Sequence, residues 1–361
     1  MSKKVFVGLS GGVDSSVSAA LLKEQGYDVT GVYMKNWSQD LPGFECPWKQ
    51  DFNDAKRVAV QLDIPFKMYD FEREYRQKVV DYMIAEYQAG RTPNPDVMCN
   101  QEIKFKLFLD TALSDGADFV ATGHYARARQ GQLLTARDEN KDQTYFLYRV
   151  TQDALAKTLF PLGDYTKPEV RKLAEKFGLI TASKRESMGI CFVGKVGIRE
   201  FLQHELGKQK QGDIIDQNNK KIGRHDGAIF YTIGQRRGLD VGGGLPYYVV
   251  GKDMYKNEVY VTTLLDDNRL WNNRLRLTDV HWINQPPRDD TQIQVRTRHR
   301  APKAMGTLHI ASKKDNDTRY SVPMVEIELE EKIRALTPGQ SAVIYSGEQV
   351  LGGGILVWFG V

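Results

Sequence analysis

The feature that most constrains this chain is a strand that passes into a helix through a loop of glycines and serines. Lys4–Gly8 has the apolar, β-branched content of a buried strand, and Val13–Gln25 reads as a helix closed by Gly26. The junction is Gly8-Leu9-Ser10-Gly11-Gly12-Val13-Asp14-Ser15-Ser16. Adjacent glycines let the backbone close around an anion without Cβ collisions. The free amides and positive dipole end of the following helix favour negative charge there. Ser10, Ser15 and Ser16 add hydroxyl donors, and Asp14 suits either a helix cap or a ligand to a Mg²⁺ that shields phosphates. A Gly-Gly pair alone would be an ordinary turn. The whole string, set between a first strand and a first helix, points to a phosphate loop. It has neither the Gly-Lys-Ser/Thr of a Walker loop nor the glycine spacing of the dinucleotide fingerprint.

The same alternation continues. Val29–Met34 reads as a strand and Asp51–Leu62 as a helix with Ala55, Val58, Ala59 and Leu62 on one face. Phe66–Tyr69, Glu72–Ala89, Ile103–Leu113, Phe119–Thr122 and Pro168–Phe177 follow as strand, helix, helix, strand and helix. Strands joined by helices predict an α/β domain: a parallel sheet with helices on both faces. From about Gly194 glycines and short β-rich segments take over. Beyond about Asn273 short strands and turns suggest a small antiparallel barrel or sandwich. The expected domains are 1–195, a β-rich central domain over 196–272, and 273–361.

At 361 residues the chain is long enough for several cores, and its net charge is 50 − 46 = +4. Such mild basicity permits nucleic-acid binding without demanding it, since affinity would need local clustering of charge. No apolar run approaches the roughly 20 residues of a membrane span, and the N-terminus lacks a signal-peptide pattern, so a cytoplasmic protein is expected. Cys46, Cys99 and Cys191 are too few for a disulfide framework, and no C-x-x-C spacing suggests zinc.

Cys99 lies in Gly90-Arg91-Thr92-Pro93-Asn94-Pro95-Asp96-Val97-Met98-Cys99-Asn100. The prolines imply a stiff loop that leaves Cys99 near the start of a helix beginning around Glu102, where a thiol pKa falls. Cys191 lies in Gly189-Ile190-Cys191-Phe192-Val193-Gly194, a short apolar strand pattern. A buried, inert thiol is the plain reading of either. Met34 and Gly123 fall at the carboxyl ends of strands, where open α/β sheets bind ligands.

The loop resembles the PP-loop of the N-type ATP pyrophosphatases. Residues 90–100, 121–125 (Ala-Thr-Gly-His-Tyr), 141–147 (Lys-Asp-Gln-Thr-Tyr-Phe-Leu), 189–194, 231–239 (Tyr-Thr-Ile-Gly-Gln-Arg-Arg-Gly-Leu) and 337–343 (Thr-Pro-Gly-Gln-Ser-Ala-Val) resemble, in order, the tRNA-specific 2-thiouridylases. The resemblance implies a PP-loop ATPase domain, a small β-rich linker domain and a C-terminal antiparallel β-barrel that contacts tRNA. It implies ATP held by Gly8, Leu9, Ser10, Gly11, Gly12, Val13, Asp14, Ser15, Met34 and Gly123, with Mg²⁺. ATP would adenylate the 2-oxygen of the wobble uridine in tRNAs of the Lys, Glu and Gln type. A persulfide on Cys191, loaded by a cysteine desulfurase or sulfur-relay protein, would supply sulfur. Cys99 would release the product through a disulfide with Cys191, and Asp96 would assist. Asn94, Pro95, Asp96, His124, Lys141, Asp142, Gln143, Arg298, His299 and Gln340 would contact tRNA.

Val295-Arg296-Thr297-Arg298-His299-Arg300 alternates arginines at period two. In a strand these would share a face suited to a phosphate backbone, or form a solvated edge. His299 stands where the family often has tyrosine, and Glu186-Ser187-Met188 where it commonly has Asp-Ser-Thr. Two other enzyme readings remain open: a PP-loop synthetase acting on a small molecule, and an iron–sulfur cluster held by Cys99, Cys191 and a carboxylate such as Asp96. A purely RNA-binding protein would leave the phosphate loop without a purpose.

Overall fold

The computed structural model describes residues 2–41, 45–185, 197–239, 241–242, 244, 246–310 and 324–357. Cys191 and its neighbours 186–196 lie outside the described residues.

The apolar runs of the first part form a five-stranded parallel sheet. Its strands are β1 (Lys4–Gly8), β2 (Asp28–Lys35), β3 (Phe66–Asp70), β4 (Phe119–Ala121) and β7 (Thr158–Leu159), in the order β3-β2-β1-β4-β7. The alternation of β1 explains why both faces are covered. Val5 and Val7 pack with α1 (Val13–Glu24) and α2 (Trp48–Gln61), while Phe6 packs against the helices of the opposite face. The chain builds outward from β1 to β3, then returns to place β4 on β1's other side. That reversal opens a crevice at the carboxyl ends of β1 and β4, where this topology places ligands.

Two expected helices differ in form. The predicted helix Glu72–Ala89 runs as α3 (Glu72–Tyr75), a π-helical turn (Arg76–Val80) and α4 (Asp81–Gln88). The helix expected from Ile103 begins eight residues earlier, with α5 (Pro95–Met98), a π-helical stretch (Cys99–Leu107) and α6 (Phe108–Ser114). Pro95 starts this helix because a first-turn residue needs no N–H partner and its fixed φ already suits the helix. Cys99 therefore sits one turn inside the helix and is buried.

The central part carries α9 (Ile198–Leu206) and a sheet in the order β10-β11-β8-β9. These strands are β8 (Gly212–Ile215), β9 (Lys221–His225), β10 (Tyr248–Asp253) and β11 (Glu258–Thr262). The last part is a closed antiparallel barrel, so the barrel alternative holds over the sandwich. Its strands are β12 (Trp271–Trp282), β13 (Thr291–Arg296), β14 (Ala304–Ile310), β15 (Val325–Arg334), β16 (Ser341–Ser346) and β17 (Gln349–Leu356). Closure between β12 and β17 uses glycine: a Cβ on Gly352 would lie 2.1 Å from the carbonyl oxygen of His281.

The sheet domain and barrel also share hydrogen bonds. The hairpin β5 (Arg127–Arg129) and β6 (Gln132–Leu134) extends the barrel sheet, with Leu133 opposite Val350. The loop before α5 is fastened from the same side: Thr92 N donates to Pro338 O at 2.9 Å. Gly339 is required there, since its φ is +91° and a Cβ would meet Thr92 N at 2.8 Å.

Candidate active site

The phosphate loop lies at the crevice. Gly12, not Asp14, is the N-cap of α1, and it makes no side-chain cap hydrogen bond. The serines tighten the loop: Ser10 N donates to Ser15 Oγ at 3.1 Å, and Ser16 Oγ donates to Gly12 O at 2.8 Å. Gly11 has φ +73°, and a Cβ there would stand 2.4 Å from Asp51 O. Gly123 is pressed against the helix start, where a Cβ would lie 2.7 Å from Ser15 N. At Gly12 an added Cβ would meet only Ser10 Oγ at 3.4 Å, so the loop is open towards the hollow.

That hollow, about 280 Å³, is lined by Ser10, Gly12, Val13, Asp14, Gly123 and Tyr125, and from outside the loop by Lys141, Gln143, Arg185, His299 and Arg300. Three cationic side chains beside helix-end amides suit a polyphosphate. Asp14 is already engaged: Lys167 Nζ donates to its two oxygens at 2.6 and 2.8 Å, and Tyr125 OH donates at 2.9 Å. Among the described residues it is the one carboxylate lining this hollow, and it is the side chain there that could help hold a Mg²⁺ bound to a nucleotide's phosphates.

Ser10 also borders a second cavity of about 270 Å³, whose walls include Leu9, Met34, Cys46, Asp96, Cys99 and Lys104. Gly8 makes room for Met34, whose Cε lies 2.9 Å from where a Cβ would be. The cavity thus joins the end of the phosphate loop to a carboxylate and a thiol. Burial pushes the Asp96 carboxyl above its usual range, and the charge of Lys104 opposes that rise. Burial also pushes the Cys46 thiol up, which suits an unreactive wall residue. Among the described residues, the one group of three His, Cys, Asp or Glu residues whose ligand atoms lie within 4.8 Å of one another is Asp289, Asp290 and His309, on the barrel.

The residues expected to touch RNA fall into two sets. Lys141, Gln143 and His299 face the phosphate-loop hollow. Gln143 Oε1 also accepts from Tyr125 N at 2.9 Å, and the His299 ring packs 4.6 Å from Phe146. The others are drawn inward. His124 is buried between Thr122 Oγ1 and Lys104 Nζ, at 2.8 and 3.4 Å. Asp142 is buried and pairs with Arg296 Nη1 at 3.0 Å. Asn94 Nδ2 donates to Tyr145 OH and Ser341 Oγ at 3.2 and 3.3 Å, and Pro95 is buried as the first helical residue. Gln340 Nε2 donates to Thr92 O at 2.8 Å.

The arginine alternation does not form one strand face. β13 ends at Arg296, and Arg298 lies in the following turn, its Nη2 donating to Ala335 O at 2.6 Å and to Ile233 O at 3.4 Å. Once the ladder ends, period two no longer fixes direction. Lys104, Lys167, Tyr125 and Arg185 were not found from sequence, whereas Arg300 was, through the arginine alternation, and it lines the hollow. Lys167 is 153 positions from Asp14, and no local pattern links them.

A parallel sheet bearing this loop at its switch point defines a PP-loop nucleotide-binding protein. A family model described as the tRNA methyl transferase HUP domain matches residues 3–195. Models described as the tRNA methyl transferase PRC-barrel domain and the aminomethyltransferase beta-barrel domain match 199–263 and 272–356. The tRNA-specific 2-thiouridylase MnmA of Streptococcus thermophilus (strain CNRZ 1066) is 46% identical over 364 residues, covering 98% of this chain and 95% of its own. That of Lactococcus lactis subsp. cremoris (strain SK11) is 45% identical, covering 98% and 94%. The chain belongs to the tRNA-specific 2-thiouridylase family. The solved NMN synthetase of Francisella tularensis, 18% identical with a TM-score of 0.35 over 58% of this chain and 78% of its own, is too distant to add to this.

Proposed function

We propose that the chain is an ATP-dependent tRNA 2-thiouridylase. The observation that carries this reading is the cavity in which Ser10 and Met34 share walls with Asp96 and Cys99. A nucleotide held by the loop would meet, in one enclosure, the groups needed for sulfur transfer.

In the first step the 2-oxygen of the wobble uridine attacks the α-phosphorus of ATP, the bond to the β-phosphate oxygen breaks, and pyrophosphate leaves. The uridine is then an adenylate, whose leaving group is AMP. The terminal sulfur of a Cys191 persulfide attacks C2 and AMP departs with the former oxygen. Cys99 thiolate attacks Sγ of Cys191, and the electrons of the broken S–S bond complete the C2 thiocarbonyl. A Cys99–Cys191 disulfide remains, which an external thiol must reduce. Cys191 lies outside the described residues, but the flanks of its segment border the site. Arg185 lines the phosphate-loop hollow, and Phe201 of α9 meets Trp37, a wall of the second cavity, edge to face with ring centroids 6.1 Å apart. Asp96, whose carboxyl burial pushes above its usual range, would assist with proton transfer at the base.

The persulfide would come from a cysteine desulfurase or sulfur-relay protein, and the substrates would be tRNAs of the Lys, Glu and Gln type. Lys141, Gln143 and His299, with Arg300, would face the RNA. Asn94, Pro95, His124, Asp142, Arg298 and Gln340 would hold these surfaces in place from behind. No helix among the described residues is long and apolar enough to cross a membrane, which fits a cytoplasmic setting.

The test combines ATP, Mg²⁺, a persulfide donor and unmodified tRNA, followed by mass spectrometry of the wobble nucleoside. Oxygen-to-sulfur exchange, with AMP formed only when tRNA is present, is expected. AMP formation without tRNA would instead favour a small-molecule synthetase. Cys99→Ser should lower thiolation by on the order of 10³-fold or more while ATP still binds, and Cys46→Ser should be nearly silent.

A further inference from the structure

A half-buried lysine, Lys104, stands in the thiol cavity with no role in the steps above. In a regular α-helix a residue five positions on lies roughly 140° around the axis, well off the face of the first. A π-helical ring instead closes between residues five apart and brings them close to stacking along the axis. Cys99–Leu107 is such a stretch, and Phe108 N donates to Ile103 O, five residues back. Cys99 and Lys104 are five apart within it, and both line the cavity.

We propose that Lys104 is the cation that favours the thiolate of Cys99, brought over it by the π-helical stretch and steadied from behind by His124. The purpose of that thiolate rests on the sulfur-transfer reading, but the charge relation does not. Lys104 Nζ lies 3.4 Å from His124 Nε2, and His124 Nδ1 lies 2.8 Å from Thr122 Oγ1. The imidazole is enclosed by Phe105 and Phe160, with ring centroids at 5.7 and 6.3 Å. Burial, and then the charge of Lys104, holds this histidine well below its usual range, so the ring is neutral. With Nδ1–H donated to Thr122, Nε2 accepts from the ammonium and fixes its position.

Other charges around Cys99 set the sign of the test. Asp96 on the same helix opposes a thiolate. Across the cavity stand Tyr33, Cys46 and Asp51, and Lys184 Nζ reaches Asp51 at 2.9 Å. Removing Lys104 should therefore raise the thiol's pKa, and removing the charge of Asp96 should lower it. A merely structural lysine would produce no such opposed pair.

The experiment is the pH dependence of Cys99 alkylation by iodoacetamide in the full chain, read peptide by peptide by mass spectrometry. Lys104→Met should move the inflection up by about one pH unit, which makes alkylation roughly tenfold slower at a fixed pH below it. Lys104→Gln, which keeps a hydrogen bond to His124 but not the charge, should do the same. Lys104→Arg should restore the wild-type profile, and Asp96→Asn should shift the inflection down. An unchanged inflection in either neutral Lys104 variant that melts like wild type overturns the proposal. Because neither ATP nor tRNA is present, a normal shift in a chain that fails to thiolate tRNA would sink the functional reading and leave this one standing.

Discussion

The carboxyl edge of the parallel sheet and the rim of the barrel meet at one hollow, yet they use their polar groups differently. At the sheet edge, Ser10, Asp96 and Lys104 line cavities. On the barrel side the groups that looked most suited to RNA are bonded internally. Arg296 is paired with Asp142, Arg298 reaches the backbone of both the barrel and the central domain, and Gln340 holds the Thr92–Pro93 backbone. One region is arranged to receive a ligand, and the other holds the receiving surface in position. A buried polar group costs free energy unless it is paired, so charge in a junction is generally bonded to the protein itself.

Breaking the barrel's side of this contrast should have the largest effect. The Asp142 and Arg296 side chains are 2% and 13% exposed, so Asp142→Ala leaves a nearly buried guanidinium without its carboxylate. The loss should be about 3–4 kcal/mol in urea unfolding, and a loss below about 1 kcal/mol would show that water reaches the pair. At the sheet edge, Gly11→Ala forces a Cβ to within 2.4 Å of Asp51 O at φ +73°. ATP affinity by calorimetry should fall about 100-fold, or about 2.7 kcal/mol. An unaltered affinity would place the nucleotide elsewhere.

Arg298 separates the two roles most directly. If its guanidinium chiefly joins domains, Arg298→Ala should cost about 1–2 kcal/mol of stability and weaken tRNA binding without altering its salt slope. A slope flatter by about one would show that it grips a phosphate itself. The smallest effect concerns Asp267, which Arg269 holds down at about 2, against an ordinary carboxyl value of 3.8. A depressed carboxyl stabilises the fold above its unfolded value, and that contribution disappears as pH falls from 3.8 to about 2. Asp267→Asn should lower the melting temperature at pH 6 but not at pH 2, with a difference of about 1 kcal/mol after solvent screening.

Much of the sheet domain was legible because its information is local. Strand periodicity located β1, β2 and β3 to within a residue or two, and Gly11 announced a position where a Cβ could not fit. Pro95 was misread because the rule against proline in a helix applies to its interior, and the first turn is exempt. The alternation at Arg296, Arg298 and Arg300 was misread because a period has meaning only while the strand lasts. The wide turn at Cys99 left no trace in the sequence, since i,i+5 spacing is off-face for any search based on 3.6 residues per turn.

By itself the sequence determined the phosphate loop, the parallel sheet that carries it, the β-rich end of the chain and, through motifs in order, the family. These rest on neighbouring residues, whose backbone preferences and spacing are fixed by covalent linkage. Only the tertiary structure decided that Met34, Asp96, Cys99 and Lys104 share a cavity with Ser10, that Lys167 holds Asp14, and that Gln340 fastens the loop before Cys99 from 248 positions away. Such pairings depend on how helices, sheet and barrel pack, and packing depends on the whole chain folding together.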